Sequence, residues 1–354
     1  MPFTKAQLQN IMMHRGQAFV PRDKLNYAGR VCETYLRKKL YRFEDRVALD
    51  LYNRLKRVNS NIRDYALQTA GQLRLTEIGN TSDSIAFRRM VSQYATAQLT
   101  DFAGVAARVS YQYASIAYAA GWYGRLWQID EASHRDKRVK IERLASNKVA
   151  QAILQPGLTE AVDNATYDYI GSEWQDVYLT AVNTSIVKLK RVLNNTAQQP
   201  ASVLAVTQNI STVLGVNAKP KDAAKGLYNA VSLPARTAIV RSANHASAEA
   251  YKANTEMLLG CMWVTSNDNR VCPECQSHNG QIFVINSLIG ILLLGLPPDG
   301  SHSGCRCFII PLVIPVDNPN EPPADDMGEW LDEYGFYDEL DFFMQDTRLE
   351  STQL

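Results

Sequence analysis

Four of the six cysteines in this chain fall into two tight pairs, Cys272-Pro273-Glu274-Cys275 and Cys305-Arg306-Cys307. Two thiolates separated by two residues can face a single tetrahedral ion, as in zinc knuckles. The second pair follows a Gly/Ser-rich turn that carries His302, so five side chains compete for four coordination positions: Cys272, Cys275, His302, Cys305 and Cys307. Pro273, Gly280, Gly300 and Gly304 supply the turns such a site needs. Protein ligands can fill every position, which favours a structural zinc clip over a catalytic metal with an open position for water. Disulfides, or free thiols with no metal, are the competing chemistry. Arg306 is expected beside the thiolates, where its charge would lower their pKa. His278 is either a donor behind the ligands or an exposed loop residue.

The residues around the pairs change character. Cys261 to Thr265 and Gln281 to Ile285 read as the two arms of a hairpin, and Phe308 to Ile314 as a third strand. A zinc ion joining the hairpin tip to the Cys305 turn would tie three short strands together. So small a module has too little core to stand without metal or neighbouring helices.

Upstream, the pattern is helical. From Asn26 to Leu75, Val31, Tyr35, Leu36, Leu40 and Phe43 recur at steps of three and four, continued by Val47, Leu51, Leu55 and Val58. Residues 83 to 150 read as a second long helical region, with Tyr111, Ser115, Tyr118 and Trp122 on one packing stripe and a bend suggested by Gly121 and Gly124. Helices from about Glu142 to Leu193 break at Pro156-Gly157. A linker at residues 194 to 200 leads to shorter helices over residues 201 to 254, punctuated at Pro220 and Pro234. The expected fold is mainly α with a small C-terminal α+β module. Its parts are an irregular arm at residues 1–25, a helical body at 26–200, the knuckle module at 201–315 and an acidic tail at 316–354.

Net charge is +1, which removes any global nucleic-acid footprint. The charge is unevenly distributed, however. Residues 15 to 63 hold 13 Lys or Arg against five acids, and residues 317 to 354 hold 12 acids against Arg348 alone. A basic head and an acidic, aromatic tail suggest separate docking partners, or a tail folded back on the head. The basic face of the first helix is otherwise a solvated surface. The longest apolar run, Ile289 to Leu296, is far short of the roughly 20 residues that span a bilayer and reads as a short buried segment. The opening residues show no secretory signal pattern, which leads us to expect synthesis in a reducing cytoplasm.

The string from Glu256 through Phe283, closed by Pro297-Pro298-Asp299-Gly300-Ser301-His302-Ser303-Gly304-Cys305-Arg306-Cys307, resembles the C-terminal module of Mu F-like minor head proteins of tailed bacteriophages. Trp263, Asp268, Arg270, Cys272, Cys275, Gly280, Phe283, His302, Cys305, Arg306 and Cys307 fall on that family's pattern, and Arg241 sits in a similar preceding helix. Ser242 and Ala243 depart from it, as does the apolar link after Phe283. The resemblance spans residues 230 to 315. It implies a non-enzymatic virion component acting in head assembly, or in DNA packaging and ejection, near the portal vertex. Implied partners are the portal protein, the major capsid protein or both, in multiple copies; the basic N-terminal helices, read from their charge, add DNA as a further expected partner. Two other functions compete: a DNA-binding knuckle protein, and a zinc hydrolase using Glu274, Asp268 or His278. The chain lacks a phosphate-cradling glycine loop, an H-E-x-x-H and a G-x-S-x-G.

Overall fold

The computed structural model describes residues 18–19, 27–132, 172–216, 226–255, 258–266, 271–284 and 304–313. The expected helix break at Pro156-Gly157, the apolar run Ile289–Leu296, His302 and the acidic tail lie outside them. The described chain is mainly α, with helices α1 (Tyr27–Gln72), α2 (Ser82–Ala132), α3 (Ser172–Asn195), α4 (Val203–Leu214), α5 (Leu227–Ala253) and α6 (Pro273–His278). The strands are β1 (Ala18–Phe19), β2 (Glu77–Ile78), β3 (Ala201–Ser202), β4 (Leu258–Val264), β5 (Gln281–Val284) and β6 (Phe308–Val313).

These elements form two compact units that interleave along the sequence. One comprises residues 45–111 and 168–236. Its core follows the periodicity of α1: Val47, Leu51, Leu55 and Ile62 are fully buried, while Arg46, Lys56 and Arg57 on the other face are exposed. Tyr65 of α1 stacks on Tyr94 of α2 at 4.1 Å. The buried Ser211 hydroxyl donates to Asn59 Oδ1 at 2.9 Å, tying α4 to α1. Strands β2 and β3 pair antiparallel in a two-residue ladder.

The other unit holds residues 1–44, 112–167 and 237–354 and contains the site. Its sheet is antiparallel, in the order β1-β5-β4-β6. The hairpin and third strand expected from the sequence are β4, β5 and β6; β1, from the segment expected to be irregular, pairs with β5. Among the described residues β6 pairs only with β4, and α5 lies along its other side. The amide of Asn244 donates to Cys307 O at 3.0 Å and accepts from Ile309 N at 3.2 Å. The Tyr251 hydroxyl donates to Ile309 O at 3.0 Å. Side chains thus satisfy backbone groups that an edge strand would otherwise expose.

Two expected breaks are absent. Helix α2 runs unbroken through Gly121 and Gly124. A Cβ at Gly121 would lie 2.5 Å from Ala243 O and 2.8 Å from Ala243 Cα, so this glycine permits a close crossing with α5 rather than a bend. Pro234 likewise sits inside α5. Buried Val231, Ala235, Ala238 and Ile239 flank it, and their packing offsets the missing backbone donor.

Candidate metal centre

The centre is built from the β4–β5 connection and the approach to β6. Helix α6 fills that connection. Pro273 occupies its first turn, where a missing N–H is harmless, and Cys272 is its N-cap, with Sγ accepting the backbone N–H of Cys275 at 3.3 Å. Gly280, at φ 84°, ends the excursion, and its N–H donates to Trp263 O at 2.8 Å. Gly304, at φ 82°, opens the second limb and donates its N–H to Thr237 Oγ1 of α5 at 2.9 Å. Beyond it the chain is extended, so side chains alternate and Cys305 and Cys307 share one face.

The result is a buried cluster. The sulfurs of Cys275, Cys305 and Cys307 all lie within 4.8 Å of one another, and each residue is 2 % exposed. Cys275 Sγ and Cys305 Sγ are 3.6 Å apart. A disulfide needs about 2.05 Å, whereas two thiolates at 2.3 Å from one tetrahedral zinc stand about 3.8 Å apart. The donor set therefore fits a thiophilic ion. Of the five sequence candidates, the fold gathers these three, and Cys272 packs half-buried against the same core.

Arg306 departs from expectation. Lying between two cysteines in extended chain, it projects to the opposite face, where Nε is 3.0 Å from Glu44 Oε2 and the guanidinium sits 3.5 Å above the Tyr41 ring. It locks the second limb to α1. The thiols are left to burial, which pushes Cys275 up to about 12, helped by the adjoining Cys305. The Cys307 thiol is raised further by its hydrogen bond with Cys305 and by burial. At neutral pH these are uncharged thiols, and a bound dication would reverse that by replacing their protons.

Trp263 is buried in the same cluster as Cys275, Cys305 and Cys307. The Trp263 indole Nε1 is buried and makes no aligned hydrogen bond, yet it opposes the rise at Cys307. His278 packs on the Trp263 ring at 4.9 Å, and its Nδ1 lies 2.8 Å from Gln281 Oε1. It is half-buried against Trp263, and these two contacts are to Trp263 and Gln281, not to the cysteines. The motif pattern singled out Trp263, but nothing local in the sequence placed its indole among the sulfurs.

The arrangement is a cysteine-lined clip joining a hairpin to an edge strand and a helix. Residues 203–310 match the family model described as Phage Mu protein F like protein, in agreement with the resemblance read from the motifs. The match covers the C-terminal module, and the family is one of phage head morphogenesis. No curated protein and no solved structure matches the chain. Among the described residues no helix is long and apolar enough to cross a membrane.

Proposed function

We propose that this protein is a minor structural component of a tailed-phage head, acting near the portal vertex in assembly or in DNA packaging and ejection, with its C-terminal module clipped by zinc. The observation that carries this reading is the buried Cys275–Cys305–Cys307 cluster inside the segment matching the head-morphogenesis family. Cys272 completes the set; its sulfur already accepts an N–H, which stabilises a thiolate. His302 is the rival fourth ligand. Zinc supplies a cross-link here. It holds the hairpin tip to the β6 limb, and through Arg306 the same limb is held to α1. Four sulfur ligands leave no position for water, so the role is architectural and non-enzymatic. The helical body, at residues 26–200, and the acidic tail would meet portal or capsid surfaces in several copies per virion.

Elemental analysis with thiol counting on purified protein tests the chemistry. We expect about one zinc per chain, retained in His302→Ala and lost in Cys272→Ser or Cys275→Ser with protease cleavage confined to the C-terminal module. Metal-free protein with few free thiols would sink the zinc clip. Particles assembled without this protein test the biology. Normal head yield and DNA content would refute the assembly role.

A further inference from the structure

We propose that a groove between α2 and α3, remote in sequence from the cysteines and independent of the metal reading, binds the phosphate backbone of duplex nucleic acid. The groove has a volume of about 300 Å³ and is lined by Ile85, Arg88, Arg89 and Ser92 of α2 and by Lys190, Leu193 and Asn194 of α3. The α2 residues are spaced i, i+3, i+4, i+7, one continuous stripe about 10 Å long; the α3 residues form a matching stripe of one turn. Three cations and two neutral hydrogen-bonding side chains thus face one recess, and no lining residue is acidic.

The surrounding sequence reinforces the sign. Residues 84–100 of α2 and 177–195 of α3 contain no acid, while Lys188 and Arg191 add two cations to α3. The helix dipole favours cations at the end of α3, but it offers nothing to Arg88 and Arg89, which lie in the first half of α2. Backbone carbonyls at the end of α3 would repel an anion, yet they are occupied: Leu193 O, Asn194 O and Asn195 O accept from the N–H groups of Thr196, Ala197 and Gln199. Arg88 is held in place, donating to Gly79 O and to Thr196 Oγ1. A guanidinium has five donors, so a fixed Arg88 keeps others for a ligand.

The chemistry selects the occupant. Arginine forks and a lysine match phosphate oxygens. No aromatic ring lines the recess, so it has no platform for stacking bases, and the backbone of a duplex fits better than an unpaired strand. A stripe 10 Å long covers about three nucleotide rises of one strand.

The test uses the full chain and a 30-base-pair DNA duplex, with affinity followed by fluorescence anisotropy across a salt series. Arg89→Gln with Lys190→Gln removes two contacts and spares the anchored Arg88. The plot of log affinity against log salt should flatten by about 1.8, with a loss of about eightfold per contact at 0.1 M salt. A matching circular dichroism melt establishes that the variant is folded. An unchanged salt slope overturns the proposal. So does preferential binding of a single strand, displacement of the duplex by millimolar inorganic phosphate, or binding of polyglutamate in place of DNA with the same dependence on Arg89 and Lys190.

Discussion

Replacing Glu44 with glutamine asks whether the clamp behind the second cysteine limb carries energy. The Arg306 and Glu44 side chains are 10 % and 4 % exposed, so solvent screens the pair little, and Nε contacts both carboxylate oxygens, at 3.0 and 3.4 Å. Removing one charge from a buried pair typically costs 3–5 kcal/mol. The substitution keeps the shape, and the stack on Tyr41 survives with roughly 1 kcal/mol of its own, so we expect the low end, about 3 kcal/mol. Because the chain forms two compact units, a global melt would blur the effect. Hydrogen exchange of residues 304–313 reads it locally, and the amides there should exchange on the order of 10²-fold faster. Glu44→Met with Arg306→Met should recover most of the loss, since an apolar pair needs no counter-charge. A change under about 0.5 kcal/mol in the single variant would mean that the pair behaves as a solvated surface bridge, and the account of Arg306 as a clamp would fail.

Gly121→Ala should destabilise by about 1–3 kcal/mol, because its Cβ meets Ala243 backbone at 2.5 Å, whereas Gly104→Ala, with nothing within 4 Å, should stabilise by about 0.5–1 kcal/mol; urea titrations showing the same sign for both would contradict the crossing. Trp263→Phe keeps the ring but loses the N–H, and should weaken metal binding by about tenfold in a chelator competition; an unchanged affinity would remove the indole from the site. Zinc binding at pH 7 should release about three or four protons, seen by calorimetry in buffers of different ionisation enthalpy, and should weaken as pH falls. Cys261, held at about 12 by burial with Arg125 acting the other way, should resist thiol reagents in the folded protein at pH 8. Its folded value lies above the unfolded 9.0, so its contribution to stability is complete below pH 9 and is lost as pH rises through 12.

Much of the centre was legible because its signals are local. Spacing alone paired the cysteines, and glycines at 280 and 304 marked turns that need positive φ. Runs rich in β-branched and aromatic residues placed β4, β5 and β6, and the period of α1 named Val47, Leu51 and Leu55 as core. The misreadings share a cause. Gly121 and Pro234 read as breaks because their local cost is real, but the packing of α2 against α5 and the apolar neighbours of Pro234 outweigh it. Arg306 adjoins the thiolates in sequence, yet its guanidinium lies on Glu44 and Tyr41.

What the sequence determined by itself is the inventory and its local geometry: helices by period, strands by β-forming composition, and thiols paired at ligand spacing. Only the tertiary structure decided which groups meet. It brought Cys275 within 3.6 Å of Cys305, thirty residues on, set Asn244 and Tyr251 against the open side of β6, and gave Arg306 a carboxylate 262 residues away. Such contacts have no period in the sequence. They are fixed by the burial of whole helix faces, which selects one docking of distant segments over all others.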